Sequence, residues 1–215
     1  MPAADQLAAF LVASFLLIQI PGPSLLFTIG RALSVSRRAA LLSVLGNASG
    51  LWVQATVVAL GLGALVTASA AAHDVLRFGG AAYICWLGIQ TIRNRADARL
   101  ALQAPGTGDA HSTAGSLGAG FVVGVTNPKT LVFFASFLPQ FIAPDGAPAT
   151  VQLLVLGTVF AVMGGASDGV WALLAARARD WFGRRPERLD ALGVVGGVML
   201  FGLGAFVAFS GRQAR

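Results

Sequence analysis

The chain has 215 residues, of which 56% are apolar and only 11% charged, with a mean hydropathy of +0.75 and a formal net charge of +6. Soluble domains carry about 25% charged residues, so this composition and length exclude a separate soluble domain and, with it, an enzyme tethered by a membrane anchor. A single cysteine, Cys85, excludes an intrachain disulfide and any cluster of cysteine metal ligands.

A membrane-crossing helix needs about 20 mostly apolar residues, and six stretches qualify, near 7–30, 39–66, 75–92, 116–142, 150–175 and 190–210. They predict an all-α integral membrane protein of six transmembrane helices forming one domain over residues 1–215. Before the first span, Met1 to Gln6 carries Asp5 and no basic residue, whereas a signal peptide needs a basic n-region, so this helix is expected to be retained. Its middle holds Pro21-Gly22-Pro23 and then Ser24. An internal proline removes a backbone hydrogen bond and clashes with the preceding turn, at about 3 kcal/mol. Two prolines around a glycine therefore predict a broken helix, and hydrocarbon tolerates the freed backbone groups only where protein or a watery cavity receives them.

The second span carries Gly46-Asn47-Ala48-Ser49-Gly50-Leu51-Trp52, and the third carries Cys85, read as a small buried apolar residue. In the fourth, Asn127-Pro128 has the form of an N-cap followed by a first helical residue, and Lys129 comes next. The fifth holds Gly164-Gly165-Ala166-Ser167-Asp168-Gly169-Val170-Trp171. Glycines four apart, at 46 and 50, 120 and 124, and 193 and 197, predict small-residue packing faces.

These features repeat in order. Gly22-Pro23 of span 1 matches Asn127-Pro128 of span 4, the glycine-flanked run of span 2 matches that of span 5 with Asp168 inserted, and Gly79 and Gly88 are spaced like Gly193 and Gly202. Three spans per half make the halves point in opposite directions. The expectation is a 3+3 inverted repeat, residues 5–92 against 116–210, with proline-broken helices 1 and 4. Each second half-helix would start in mid-membrane with free N–H groups and a positive dipole end able to receive a carboxylate; packing kinks are the plainer alternative.

The pI of about 11.2 could suggest nucleic acid, but the arginines are distributed by loop. Arg31, Arg37 and Arg38 follow span 1, Arg93, Arg95 and Arg99 follow span 3, and Arg177, Arg179, Arg184, Arg185 and Arg188 follow span 5. The loop after span 2 has Arg77 against Asp74, and the loop after span 4 has Asp145 and no base. That alternation is the positive-inside pattern. It predicts external termini, against which Arg212 and Arg215 weigh mildly, and arginines that meet anionic lipid with no nucleic-acid role.

Lys129 is the only lysine, and Asp168 is the only carboxylate deep in a span. Ionisable groups at that depth cost at least about 2.5 kcal/mol and face a partner or an aqueous path. A Lys129–Asp168 pair would keep both charged, as a structural pair or as part of a substrate or proton site. Gly165-Ala166-Ser167-Asp168-Gly169 satisfies the G-x-S-x-G pattern, but that motif works on a strand-to-helix turn with a histidine base. His73 and His111 lie in expected loops, and no metal motif occurs, so neither catalysis nor a cofactor is expected.

The run Phe121-x-x-Gly124-x-x-Asn127-Pro128-Lys129-x-x-x-Phe133-Phe134-x-x-Phe137-Leu138-Pro139-Gln140-Phe141, with Pro21-Gly22-Pro23 and Gly79-x-x-x-Tyr83-x-x-Trp86-Leu87-Gly88, resembles the LysE/RhtB family of amino-acid exporters. The resemblance implies a six-helix fold, amino-acid efflux across the bacterial inner membrane and coupling to the proton gradient. It carries the family motifs onto Pro21, Gly22, Pro23, Asn127, Pro128 and Lys129; Asn47, between Gly46 and Gly50, is this chain's own choice on the substrate side. With one intramembrane cation and one anion, the site matches a zwitterion. A neutral amino acid of threonine, homoserine or leucine type is the expected cargo, and basic amino acids, another small solute or a passive channel are the alternatives. Homo-oligomerisation stays open, since small-residue faces pack within and between chains equally well.

Overall fold

The computed structural model describes residues 4–65, 70–96, 99–100, 112–143, 146–185 and 187–210, and the elements assigned there are helical. In chain order they are α1 (Ala4–Gln19), α2 (Pro23–Ser34), α3 (Arg37–Leu65), α4 (Ala70–Arg93), α5 (Thr113–Val125), α6 (Pro128–Ser136), a 3-10 turn (Leu138–Phe141), α7 (Ala149–Arg177), α8 (Arg179–Arg184) and α9 (Glu187–Ser210). Among the described residues three helices, α3, α7 and α9, contain segments long and apolar enough to cross a membrane. The pairs α1/α2 and α5/α6, bent by 51° and 43° at their breaks, bring the candidate spans to five. The predicted third span, α4, is not among them within its described part; it packs along α9.

The two expected breaks are present and built alike. Gly22 is the N-cap of α2 with Pro23 as first helical residue, and Asn127 and Pro128 hold the same places in α6. The first helical bonds then have equal offsets, Leu26 N donating to Gly22 O at 2.9 Å and Leu131 N to Asn127 O at 3.1 Å. Proline fits because its missing N–H would have lacked an intrahelical partner there. The loop expected after span 2 is shorter than its charges suggest: Asp74 and Arg77 fall within α4, as does His73, because the Ala70–Ala72 run favours helix. His111, Asp145, Arg212 and Arg215 lie outside the described residues.

Glycine sets the helix contacts. A Cβ on Gly46 would lie 2.0 Å from Leu117 O of α5, and one on Gly120 would lie 1.9 Å from Ser43 O of α3. Gly50 and Gly124 meet the facing backbone as closely, so α3 and α5 touch main chain to main chain. Gly88 and Gly197 do the same for α4 and α9, each Cβ position 2.5 Å from the other's carbonyl oxygen. A third close approach joins α9 to the first break, where Gly196 leaves room for Pro21 O.

Two apolar clusters fill the interior. One contains Phe10, Leu17, Leu51, Phe133, Phe134, Leu138, Leu153, Leu156 and Phe160; the other contains Leu25, Ile29, Leu33, Val44, Ala172, Ala175 and Leu189. Along α3 the second cluster comes first, whereas along α7 it comes last, so these packed helices run in opposite directions. Between the clusters, on both helices, lies a polar layer containing Asn47 and Asp168.

Candidate functional site

Asn47 is ten residues into α3 from Arg37, and Asp168 is nine residues from Arg177 at the end of α7. At 1.5 Å per residue each lies about 15 Å from the arginine-rich end, roughly half the thickness of the hydrocarbon core. Both helix breaks reach the same layer. A small pocket of about 20 Å³ is lined there by Ser24, Asn127, Lys129, Thr130 and Asp168 together with Ile18, Leu25, Leu51, Phe160 and Gly164. It has room for about one water molecule.

Lys129 is 4% exposed and lies against Gly22, where a Cβ would be 3.4 Å from its Nζ. Its ammonium donates to Leu17 O at 3.1 Å and to Ile20 O at 2.9 Å. These carbonyls lie at the end of α1, where the negative dipole end favours a cation; Leu17 O also accepts from Ile20 N at 3.2 Å. An ammonium has three donors, and two are used. Asp168, 5% exposed, accepts from Asn47 Nδ2 at 2.9 Å and, at a long 3.4 Å, from Ser24 Oγ, both through Oδ2. The two charges therefore share a cavity without forming the direct ion pair that the sequence suggests: each has other partners, and Oδ1 of Asp168 and one N–H of Lys129 are left over.

Asn127 caps α6 as expected, its Oδ1 accepting from Lys129 N at 3.1 Å. Its Nδ2 is buried without a partner, and so is Oδ1 of Asn47. Of the residues expected at the site, Ser24, Asn127, Lys129 and Asp168 line the cavity; Asn47 reaches it through Asp168, while Pro21, Gly22, Pro23 and Pro128 shape the breaks.

Three polar residues at this layer were not singled out by sequence. Gln54 Nε2 donates to Val125 O at 3.1 Å and Asn127 O at 3.0 Å, and its Oε1 accepts from Thr130 Oγ1 at 2.6 Å. Gln19 receives Trp171 Nε1 at 3.0 Å and donates to Ser167 Oγ at 3.1 Å. Ser167, the serine of the G-x-S-x-G string, thus sits in mid-helix bonded to an amide. The available signal for Gln54 was its spacing: Asn47 and Gln54, seven apart, share a helix face.

Towards the arginine-rich end, Arg31 donates to Ser43 Oγ at 3.2 Å and Ser116 Oγ at 2.7 Å, joining α2, α3 and α5. Arg179 donates to Leu33 O at 2.7 Å at the end of α2. A hollow of about 350 Å³, lined by Ala32, Ser36, Arg37, Leu173, Ala176, Arg177 and Arg179, opens beside it.

Paired broken helices around a small charged pocket are the arrangement of a multi-pass membrane protein of the transporter class. The chain belongs to the LysE type translocator family, whose model matches residues 15–211. It is 34% identical over 212 residues, 96% of this chain and 97% of the relative, to a homoserine/homoserine lactone efflux protein of Salmonella typhimurium. It is 30% identical over 163 residues, 75% of this chain and 71% of the relative, to a threonine efflux protein of Escherichia coli. An uncharacterized membrane protein of Vibrio cholerae is 34% identical over 202 residues, 93% of this chain and 95% of the relative. No solved structure is a significant match.

Proposed function

We propose that the chain exports small neutral amino acids, and amino-acid derivatives that keep the α-amino group, from the bacterial cytoplasm by proton antiport. One observation carries the reading: a single cation and a single carboxylate line one mid-depth cavity, each with hydrogen-bonding capacity to spare, beside the unpaired amide donor of Asn127. A substrate ammonium would go to Oδ1 of Asp168. Its carboxyl oxygen would accept from the third N–H of Lys129 and from Nδ2 of Asn127. A dibasic substrate adds a positive charge, and no second carboxylate lines the cavity among the described residues; an unpaired charge there is strongly disfavoured.

The relatives' names fit this chemistry. Homoserine and its lactone share an α-amino group and a carbonyl oxygen and differ in the free carboxylate, so a site that serves both must read the shared pair. Neutral Asn127 can bond either oxygen. Because Lys129 already spends two donors on α1, its charge is partly balanced before a substrate arrives.

Six spans in two inverted halves, α4 and α9 closing each half, would let the halves exchange roles about the cavity. The arginine-rich ends would face the cytoplasm, with the hollow beside Arg37 and Arg177 at the cytoplasmic mouth. Asp168 would take up the driving proton when it releases the substrate ammonium.

Counterflow of labelled amino acids in vesicles tests the cargo: homoserine, its lactone and threonine should exchange ahead of lysine and arginine, and preference for the dibasic pair would overturn the assignment. With a pH step imposed, Asp168→Asn should exchange substrate only with a raised KM, having lost the charge that meets the ammonium, and should no longer accumulate it. Flux in the unaltered protein that ignores the pH step would instead mark a passive channel. For orientation, cysteines at Ser36 and Ala147, with Cys85 removed, should label from opposite sides; labelling from one side would refute the inverted arrangement.

A further inference from the structure

Gln54 belongs to α3, yet its amide is spent on the other half of the chain. It ties down the carbonyls of Val125 and Asn127, the last of α5 and the first of α6, and is 4% exposed. The two carbonyls fix which way round the amide lies: they can only accept, so Nε2 faces them and Oε1 is left to Thr130 Oγ1 at 2.6 Å, a hydroxyl that also lies 3.1 Å from Asn127 O. Two of these contacts hold backbone carbonyls of the turn that carries Asn127, and the third is to the Thr130 side chain one turn further on. The Asn127 side chain is held from within, by its own cap bond to Lys129 N. Backbone and side chain of Asn127 are fixed independently, and the group left over is Nδ2, buried without a partner in a residue that lines the cavity.

A buried amide donor without a partner is disfavoured unless a ligand supplies the acceptor. From this arrangement we infer that Gln54, with Thr130 behind it, is a positioning residue for substrate recognition: it aims Nδ2 of Asn127 at the carboxyl or ester oxygen of the cargo. This rests on the reading of the cavity as an amino-acid site. Gln54 does not touch the cargo itself, so its influence is on apparent affinity and passes through Asn127.

The test is homoserine counterflow in vesicles with the full chain, measuring KM and Vmax for the unaltered protein, Gln54→Leu, Asn127→Ala and the double variant. Each single variant should raise KM about tenfold, the scale of one lost buried hydrogen bond, with Vmax little changed. The double variant should be no worse than Asn127→Ala alone. KM effects that multiply in the double variant would overturn the positioning role, as would an unchanged KM in Gln54→Leu. An unchanged KM in Asn127→Ala beside a raised one in Gln54→Leu would instead refute the oxygen contact, and absence of homoserine exchange in the unaltered protein would refute the cargo. Should Gln54→Leu fail to insert, Gln54→Met keeps the length of the side chain, can donate to neither carbonyl, and should raise KM in the same way.

Discussion

The two helix breaks look alike in outline and differ in what closes them. At the second, α5 into α6, the carbonyls of Val125 and Asn127 accept from the neutral amide of Gln54, Asn127 O also taking Leu131 N, and the start of α6 is met by its own Asn127. At the first, α1 into α2, the carbonyls of Leu17 and Ile20 are met by Lys129, a charge borrowed from the other break, and Gly22 offers α2 no side-chain cap. One break closes with neutral groups. The other is held by a single cation, which on the proposed reading would also meet the substrate carboxylate. Cargo would then compete for the group that closes the site, linking binding to opening.

That difference can be broken at three strengths. Lys129→Met should do most, lowering homoserine counterflow at least about 100-fold, because removing one of two buried charges leaves the other uncompensated and takes the ammonium from Ile20 O, while Leu17 O keeps Ile20 N. Lys129→Arg should recover little, since a planar fork cannot replace a compact ammonium against two helix-end oxygens; full recovery would show that only charge matters. Prolines come next. Pro128 stands alone in its break, so Pro128→Ala, which lets α5 and α6 join, should lower transport at least about tenfold. Pro23→Ala leaves Pro21 to keep the first break, so its loss should be only a few-fold until Pro21→Ala is added. Equal losses in the two single variants would mean that the breaks are equivalent after all. Smallest is Ser24→Ala: at 3.4 Å its bond to Asp168 is weak, and the KM for homoserine should shift by no more than about threefold.

The sequence made one side of this comparison easier to read than the other. Proline, asparagine, lysine and aspartate inside apolar stretches are conspicuous because hydrocarbon excludes them, and Asn127, Lys129 and Asp168 were found that way. The partners of Lys129 were invisible: they are backbone oxygens of Leu17 and Ile20, and a carbonyl leaves no mark on residue type. Gln54 was overlooked because an amide carries no charge and its partners lie more than 70 positions away. Glycine spacing identified packing faces but not which faces meet; that α3 pairs with α5, and α4 with α9, depends on long-range topology. The same blindness explains the expected Lys129–Asp168 ion pair, a sound pairing by charge alone that gives way to nearer neutral partners on each side.

The apolar clusters on either side of the polar layer oppose the passage of ions. A hydrated ion trying to cross would have to shed its water beside Phe133, Phe134 and Phe160 on one side and among Leu25, Ile29 and Leu33 on the other, and moving an ion from water into such surroundings has an idealised Born cost of about 20 kcal/mol. Two layers of hydrocarbon side chains thus flank a polar pocket of about 20 Å³. A membrane can hold many copies of such a chain without becoming leaky to ions.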